Sequence, residues 1–219
     1  MDFSKTNFSF RRSIFDYAKV QYLISGLRRN SKFQLTDFGG TEYLNVGCGA
    51  NIYKHFLNLD WQWRPGVNLC WDLLKGIPLK ENSFIGIFTE HCLEHLPFTK
   101  IPYIFSEFYR ILKPGGRIRI VVPDGQLYME IYNNRLNGGE QKFPYEDNFN
   151  NKTPAMYVNE VFRDHGHLFC YDFQTMKLLL ESAGFHTVIK SSFNNSMDKM
   201  LHYDSESRKG ESLYLEALK

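Results

Sequence analysis

The stretch Tyr43-Leu44-Asn45-Val46-Gly47-Cys48-Gly49-Ala50 decides the fold. It begins as an apolar, strand-like run and breaks into a Gly-x-Gly turn. An open parallel sheet uses such a turn to bring its backbone close to a small ligand at the carboxyl end of the first strand. Glycine suits the turn because it accepts positive φ and carries no Cβ. Ordinary turns without a ligand also contain two such glycines, so the interpretation depends on the residues that follow.

Short apolar runs follow at residues 56–60, 67–72 and 84–88, and another lies at 117–123. Uninterrupted apolar runs are typical of buried parallel strands. Residues 98–112 carry apolar side chains at helical spacing and stop before a Pro-Gly-Gly turn. Helices between buried strands predict right-handed crossovers and a doubly wound α/β sheet. We expect one domain over residues 1–219.

Three further segments complete the predicted chain. Residues 13–29 have helical spacing and predict an N-terminal covering helix. Residues 124–165 are polar with little periodicity, which favours a lid or an acceptor-site insertion after the fifth strand. Asp172 is predicted to cap a helix, and strands at 186–193 and 212–218 close the fold.

Composition bounds the partners and the compartment. The net charge is +2, from 26 basic and 24 acidic residues, which gives no reason to expect a nucleic-acid-coating protein. The four cysteines are widely spaced, so a disulfide framework is not expected. The chain shows neither a signal-peptide-like start nor an apolar run long enough to span a bilayer. We therefore expect a soluble, cytoplasmic protein.

Six motifs in order resemble the class I S-adenosylmethionine-dependent methyltransferases and, within them, the small type-11-like group of predicted methyltransferases. The resemblance implies a seven-stranded, mostly parallel sheet with an antiparallel last strand, and S-adenosylmethionine as cofactor. The run Gly166-His167-Leu168-Phe169 also suits that group. The six motifs are Leu44-Asn45-Val46-Gly47-Cys48-Gly49, Asp60, Asp72-Leu73, Ile77-Pro78-Leu79 with Asn82-Ser83-Phe84, Glu90-His91-Cys92-Leu93-Glu94-His95-Leu96, and Leu112-Lys113-Pro114-Gly115-Gly116-Arg117.

The resemblance also implies roles for individual residues toward the cofactor. Asp60 would accept the ribose hydroxyls, and Asp72 would accept from the adenine amino group. In the alternative interpretation these two aspartates only cap turns or helices. The remaining residues that the resemblance implies are Gly47, Cys48 and Gly49 at the methionyl part and ribose, Trp61 beside the adenine or as mere packing, Leu73 through its backbone near the adenine, and Glu90 at the methionyl end.

The spacing departs from the usual pattern at one point. Only ten residues separate Gly49 from Asp60, too few for a full crossover helix. The first crossover should therefore be shortened or replaced by a loop. Because pyrophosphate binding relies on a helix N-terminus, this spacing counts against NAD as the ligand.

A histidine cluster follows the fourth predicted strand. His91-Cys92-Leu93-Glu94-His95 matches the H-x-x-E-H pattern of inverted zinc proteases, but that motif needs a helix, so we reject a protease. By motif position the cluster is similar to ubiquinone-pathway O-methyltransferases and plant small-RNA 3′-terminal 2′-O-methyltransferases. Those families carry a carboxylate where His91 stands. The similarity implies that His91, Glu94, His95 and His167 bind a divalent metal.

The metal-free interpretation of this cluster is the one that we favour. In it, Glu94 acts as a cap and His95 lines the pocket. His95 or His167 would then be the general base, because the pKa of histidine lies near working pH.

The leading function is methyl transfer to an oxygen or nitrogen of a small molecule or glycan. One alternative is a non-catalytic S-adenosylmethionine-binding or scaffold protein, and a second is a metal-assisted O-methyltransferase. A nucleic-acid methyltransferase is disfavoured, because Thr89-Glu90-His91-Cys92 stands where base-modifying amino-methyltransferases carry Asn-Pro-Pro-Tyr or Asp-Pro-Pro-Tyr.

Overall fold

The computed structural model describes residues 16–35, 40–146 and 152–219, and one seven-stranded sheet lies at its centre. The spatial order of the strands is β3-β2-β1-β4-β5-β7-β6. The strands are β1 Tyr43–Val46, β2 Phe56–Asp60, β3 Leu69–Cys70, β4 Phe84–Glu90, β5 Leu112–Pro123, β6 His186–Lys190 and β7 Ser212–Leu218.

The strands from β3 to β5 pair in parallel, and β7 pairs antiparallel with both β5 and β6. This confirms the predicted α/β fold with its antiparallel last strand. Three strand bounds differ from the prediction. β3 is shorter than the predicted 67–72, and β6 ends at Lys190 instead of 193. β5 begins at Leu112 instead of 117, because the Pro-Gly-Gly turn is part of the strand and a bulge interrupts its pairing with β4 there.

Five helices accompany the sheet within the described ranges: α1 Asp16–Arg28, α2 Ile101–Ile111, α3 Gly125–Leu136, α4 Pro154–Arg163 and α5 Phe173–Ser182. The predicted apolar face of α2 is buried, with Ile104, Phe105 and Phe108 at most 1% exposed. Asp172 caps α5 as predicted, since its Oδ1 accepts the Thr175 amide at 2.8 Å. The buried apolar side chains of α2 and α5 fill the main core beside the sheet.

The connection from β1 to β2 contains no helix, and residues 47–55 form turns and extended backbone. This agrees with the shortened crossover that the spacing predicts. The amide of Cys48 donates to the Leu59 carbonyl at 3.1 Å, which holds the glycine turn against β2.

The N-terminal helix is present, although residues 13–15 of the predicted span lie outside the described ranges. Ser25 on α1 is buried, and its hydroxyl accepts the Trp63 amide at 2.8 Å. Leu23 and Leu27 are mostly exposed. A polar contact to the loop after β2 therefore anchors α1 to the fold.

The segment 124–165 is more regular than the predicted loop-like lid. It contains α3 and α4, which pack on a small core of their own, built from Tyr128, Ile131, Phe143, Tyr157 and Val161. The helical pattern of α3 is weak in the sequence because polar side chains alternate with its few anchors. Residues 147–151 of this segment lie outside the described ranges. Nowhere in 16–35, 40–146 or 152–219 is a helix both long and apolar enough to cross a membrane.

Candidate functional site

A cavity of about 490 Å³ opens where β1, β2 and β4 end. Its volume suits a small-molecule ligand, since such sites enclose ~300–1,000 Å³. Six of the eight residues predicted for the cofactor line it, and His91 and His95 line it as well. The lining residues are Gly47, Gly49, Leu59, Asp60, Trp61, Trp71, Asp72, Leu73, Leu74, His91, Cys92, His95, Leu96 and Pro97.

The two glycines of the turn have different local roles. Gly47 has φ +66°, and a Cβ added to it would lie 2.4 Å from Sγ of Cys92, closer than atoms can pack. Gly49 has φ +53°, and its amide donates to Oδ2 of Asp60 at 2.8 Å. The turn therefore needs glycine at 47 for space as well as for backbone conformation.

The Asp60 carboxylate at the end of β2 accepts two backbone hydrogen bonds. Its Oδ2 accepts the Gly49 amide, and its Oδ1 accepts the Gln62 amide at 2.7 Å. The carboxylate thus acts as a turn cap, as the alternative interpretation holds. Each carboxylate oxygen has two lone pairs, so both oxygens retain the capacity to accept from a ligand hydroxyl.

Trp61 follows Asp60 and is 44% exposed at the cavity. Arg29, just beyond α1, lies over its ring with Cζ 3.3 Å from the ring centroid. The Nε of Arg29 also donates to the Trp61 carbonyl at 2.8 Å. The local sequence predicts no role for Arg29, because basic residues at a helix end are usually solvated. The Arg29-Trp61 contact holds one wall of the cavity.

Asp72 lies two residues past the end of β3 and caps a short 3₁₀ turn, since its Oδ1 accepts the Leu74 amide at 3.0 Å. Its own amide donates to Oδ1 of Asn30 at 2.9 Å. Leu73 is buried and lines the cavity beside it. Asn30 is a second residue from the end of α1 that sequence reasoning missed.

Two residues predicted for the cofactor lie elsewhere. The side chain of Cys48 is buried against Val67 and Cys70. The Glu90 carboxylate accepts the amide of Ser205 at 2.8 Å and also its hydroxyl. Side chains alternate along β4, so Glu90 shares a face with Phe88, on the side of the sheet that residues near 193–203 cover.

Glu94 is fully buried in the 3₁₀ turn after β4, and the histidines of the predicted cluster surround it. Its Oε1 lies 3.4 Å from Nδ1 of His91, 3.8 Å from Nε2 of His95 and 4.0 Å from Nε2 of His167. Neither carboxylate oxygen has a hydrogen-bond partner among the described residues. The expectation that Glu94 acts as a cap is therefore wrong: its side chain points into the cluster.

The charge state of Glu94 follows from these neighbours. Burial by itself raises the pKa of the Glu94 carboxyl, but the close His91 imidazole, with its Nδ1 3.4 Å from Oε1, and then the charge of His95 hold this pKa below its ordinary value. At neutral pH the group is therefore a buried carboxylate.

The rings of His95 and His167 face each other edge-on with centroids 4.9 Å apart. His95 lines the cavity and its side chain is 37% exposed, whereas His167 is buried behind it. Burial lowers the pKa of His167, so its ring is neutral at neutral pH. The Val161 carbonyl lies 2.7 Å from Nδ1 of His167 and can only accept, which places the ring proton on Nδ1.

His91 is held at φ +47° at the end of β4. Its Nε2 lies 2.9 Å from Oγ of Ser212, and the Ser212 hydroxyl donates to the Arg208 carbonyl at 2.8 Å. Since the serine proton is already used, Nε2 of His91 is the donor to Ser212. This fixes the ring so that Nδ1 faces Glu94.

The backbone also joins the two parts of the cluster. The Glu94 carbonyl accepts the Leu168 amide at 2.7 Å and the Phe169 amide at 3.3 Å. This pairing brings the segment that carries His167 against the turn that carries Glu94 and His95.

Comparison with known proteins agrees with this geometry. The family described as "Methyltransferase domain" matches residues 43–120, which include β1 to β4 and all of the cavity-lining residues named above. A methyltransferase of Archaeoglobus fulgidus, described as dependent on S-adenosylmethionine, has the same fold with a TM-score of 0.50 at 16% identity. That match covers 91% of this chain and 94% of the other.

Two matches are to nematode proteins. Phosphoethanolamine N-methyltransferase 2 of Caenorhabditis elegans is 40% identical over 43 residues, which is 20% of this chain and 9% of that protein. The Haemonchus contortus phosphoethanolamine N-methyltransferase 2, solved with S-adenosyl-L-methionine, superposes with a TM-score of 0.46 at 13% identity. That match covers 81% of this chain and 48% of the other, so the chain spans about half the length of the Haemonchus protein.

The family match covers the strands and turns that form the cavity, and the complete sheet has the strand order and the antiparallel last strand expected of one superfamily. Residues 43–120 are thus similar to the methyltransferase domain family, and the chain has the fold of solved S-adenosylmethionine-dependent methyltransferases.

Proposed function

We propose that the chain transfers a methyl group from S-adenosylmethionine to an oxygen or nitrogen of a small molecule or glycan. One observation carries the proposal: a single cavity is lined by the glycine turn, Asp60 and Asp72 and also by His91 and His95. A ligand held by the glycine turn and the two aspartates therefore has a nitrogen base within the same space.

The residues present fit the cofactor. Gly47 packs against Cys92 with no room for a Cβ and lines the cavity, and the apolar side chains of Leu59, Trp71 and Leu96 line the same space. S-adenosylmethionine supplies an electrophilic methyl group on a sulfonium. The Asp60 carboxylate would accept the ribose hydroxyls, and the Asp72 carboxylate would accept from the adenine amino group.

The remaining work is done by the protein's own side chains. Direct displacement needs alignment of the acceptor with the methyl group, and a hydroxyl acceptor also needs a base. His95 can take that proton because its ring is at the cavity and partly exposed. His167 is buried behind His95 and would act through it. Residues 124–165, with α3 and α4, would select the acceptor.

Calorimetry with S-adenosylmethionine and S-adenosylhomocysteine tests the shared first step, and we expect saturable heat with both. No heat with either ligand would overturn the proposal. A second assay follows a labelled methyl group into a panel of amines, alcohols and glycans that includes phosphoethanolamine, the acceptor named for the nematode proteins. Tight cofactor binding without transfer to any acceptor would favour a non-catalytic binding protein.

His95→Ala separates binding from chemistry. We expect it to retain affinity for S-adenosylhomocysteine and to lose at least ~100-fold in turnover, the range for a lost general base. His55→Ala is the matched control, because His55 is exposed and does not line the cavity. Unchanged turnover of His95→Ala would exclude His95 as the base.

A further inference from the structure

The face of the sheet that carries Phe56 and Phe88 is covered without a helix. The connection from β1 to β2 contains none, and none of the five α-helices described above contributes a side chain to the small core on this face. Parallel sheets are normally covered on both faces by their crossover helices. Here Phe56 and Phe88 are still only 3% and 1% exposed, because residues 191–205, which we call the strap, pack over them.

Buried polar contacts fix the end of the strap to the sheet. Arg119 on β5 is 0% exposed, and its Nε donates to Oδ1 of Asp204 at 2.8 Å. The Glu90 carboxylate at the end of β4 accepts the Ser205 amide at 2.8 Å. Removing the carboxylate partner of a buried guanidinium is strongly destabilising. The end of the strap is therefore held in one position on the sheet.

Tyr203, the residue before Asp204, stacks on Tyr53 in the connection from β1 to β2. The ring centroids are 4.1 Å apart with an interplanar angle of 30°, and the Tyr53 hydroxyl donates to the Tyr203 carbonyl at 3.1 Å. Tyr53 is also held from the sheet, since its amide donates to Oδ1 of Asn58 at 3.0 Å and its carbonyl accepts Nδ2 of Asn58 at 2.9 Å. The connection is thus held between the strap and β2.

The two glycines that line the cavity lie in the same connection. Between them and Tyr53 the chain is tightly turned. The Asn51 amide donates to the Cys48 carbonyl at 2.8 Å, and the Asn51 carbonyl accepts Nδ2 of Asn45 on β1 at 2.8 Å. Because these bonds close the turn, a shift of Tyr53 would be passed on to the glycines.

We propose that Tyr203 is a positioning residue for cofactor binding, which holds the glycine turn in place through Tyr53. The proposal rests on the proposed function, since it takes the cavity as the S-adenosylmethionine site, and Tyr203 does not line that cavity. Its contribution is preorganisation, because a turn already fixed in the free protein loses less conformational freedom when the ligand binds. The strap thus replaces the crossover helix for which the spacing between Gly49 and Asp60 leaves no room.

Three variants of the full chain separate positioning from packing. Tyr203→Leu removes the ring, whereas Tyr203→Phe keeps both the ring and the carbonyl that accepts from Tyr53. Phe193→Leu is the matched control: Phe193 lies in the same strap and the same small core, but its ring contacts Tyr214 and Lys209. Each protein is measured for its calorimetric affinity for S-adenosylhomocysteine, its free energy of unfolding in urea, and hydrogen–deuterium exchange at the Tyr53 amide without ligand.

We expect Tyr203→Leu to bind S-adenosylhomocysteine at least ~5-fold more weakly than the wild type and to exchange faster at the Tyr53 amide. Tyr203→Phe should match the wild type in affinity and exchange. Phe193→Leu should lose stability but match the wild type in the same two measurements. If Tyr203→Leu binds S-adenosylhomocysteine as tightly as Phe193→Leu does, Tyr203 only packs the small core and the proposal is overturned.

A wild type that binds no S-adenosylhomocysteine overturns the proposed function. The exchange rates then decide alone on the positioning of the turn. Faster exchange at Tyr53 in Tyr203→Leu than in Phe193→Leu supports it, and equal exchange in the two variants overturns it.

Discussion

A Cβ at Gly47 would lie 2.4 Å from Sγ of Cys92, so the glycine turn and the strand end that carries the histidine cluster touch at van der Waals limits. Gly47→Ala should therefore distort the cavity and strain a backbone at φ +66°. We expect a loss of about 1–3 kcal/mol in the free energy of unfolding. Affinity for S-adenosylhomocysteine should fall at least ~10-fold, about 1.4 kcal/mol in binding free energy. Urea denaturation and calorimetry measure the two effects.

Gly115→Ala is the matched control for that substitution. Gly115 also has positive φ, at +76°, but a Cβ there meets nothing within 4 Å. It should lose stability through backbone strain alone and keep its affinity for S-adenosylhomocysteine. Equal affinity of the two variants would show that the Gly47 contact does not shape the cavity.

Asp60→Asn tests the carboxylate that joins the glycine turn to β2. The asparagine amide can accept at one position only, whereas Asp60 accepts from both Gly49 and Gln62. We expect a loss of about 1–2 kcal/mol in the free energy of unfolding, because one charged hydrogen bond is removed. Affinity for S-adenosylhomocysteine should fall at least ~10-fold, about 1.4 kcal/mol in binding free energy.

Asp172→Asn separates these two effects. Asp172 accepts the Thr175 amide as the cap of α5 and does not line the cavity. It should cost stability and leave the affinity unchanged. If Asp60→Asn binds S-adenosylhomocysteine as tightly as Asp172→Asn, then Asp60 is only a turn cap.

Arg29→Ala removes both contacts that hold Trp61. The stacking of Arg29 at 3.3 Å and its hydrogen bond to the Trp61 carbonyl hold the Trp61 ring in place at the cavity. We expect their loss to weaken binding of S-adenosylhomocysteine by about 1 kcal/mol, or ~5-fold in affinity. Arg29→Lys should behave like alanine, because an ammonium group cannot stack as a planar guanidinium does. Arg28→Ala is the control, since Arg28 faces Phe33 and Trp63 instead. If calorimetry gives Arg29→Ala and Arg28→Ala the same affinity, the position of the Trp61 ring does not determine binding.

Glu107→Gln tests a pH-dependent contact between α2 and the connection that precedes β4. The hydrogen bond from Arg110 holds the pKa of Glu107 below its ordinary value of 4.5, and the Ile77 amide donates to the same carboxylate at 2.7 Å. A pKa lower in the folded than in the unfolded state gives stability that is present above pH 4.5 and is lost as the pH falls through the folded value. The wild type should exceed Glu107→Gln by about 1 kcal/mol at pH 7 and by less at pH 4. Urea denaturation at both values measures the difference, and a constant difference would contradict the assignment.

Much of the fold was predictable because its signals are local. The buried runs that became β2 and β4 are uninterrupted in the sequence, and the apolar spacing of α2 matches its buried face. The helix α3 was not predicted, because its few apolar anchors pack on a small separate core and leave no strong period. The helix α4 does have an apolar period, but it was included in the polar, Asn- and Gly-containing segment that was interpreted as a loop.

The site was predictable where a residue type is tied to a strand end, as for Gly47 and Asp60. It was not predictable where the contact depends on which elements the fold brings together. Arg29 reaches Trp61 across 32 positions, and nothing in the local sequence distinguishes it from a solvated arginine. Glu90 was predicted at the cofactor because it ends a strand. The alternation of side chains along β4 instead directs Glu90 to the face of the sheet where Ser205 lies.

The Leu168 amide, which donates to the Glu94 carbonyl at 2.7 Å, is a natural reporter of cluster assembly. This main-chain contact docks the His167 segment onto the turn after β4, so hydrogen–deuterium exchange at this one amide measures docking without a change to the imidazoles. We expect slow exchange at Leu168 in the wild type and in Glu94→Gln alike. The histidine cluster would then be preformed, and its substitutions could be compared on a common backbone.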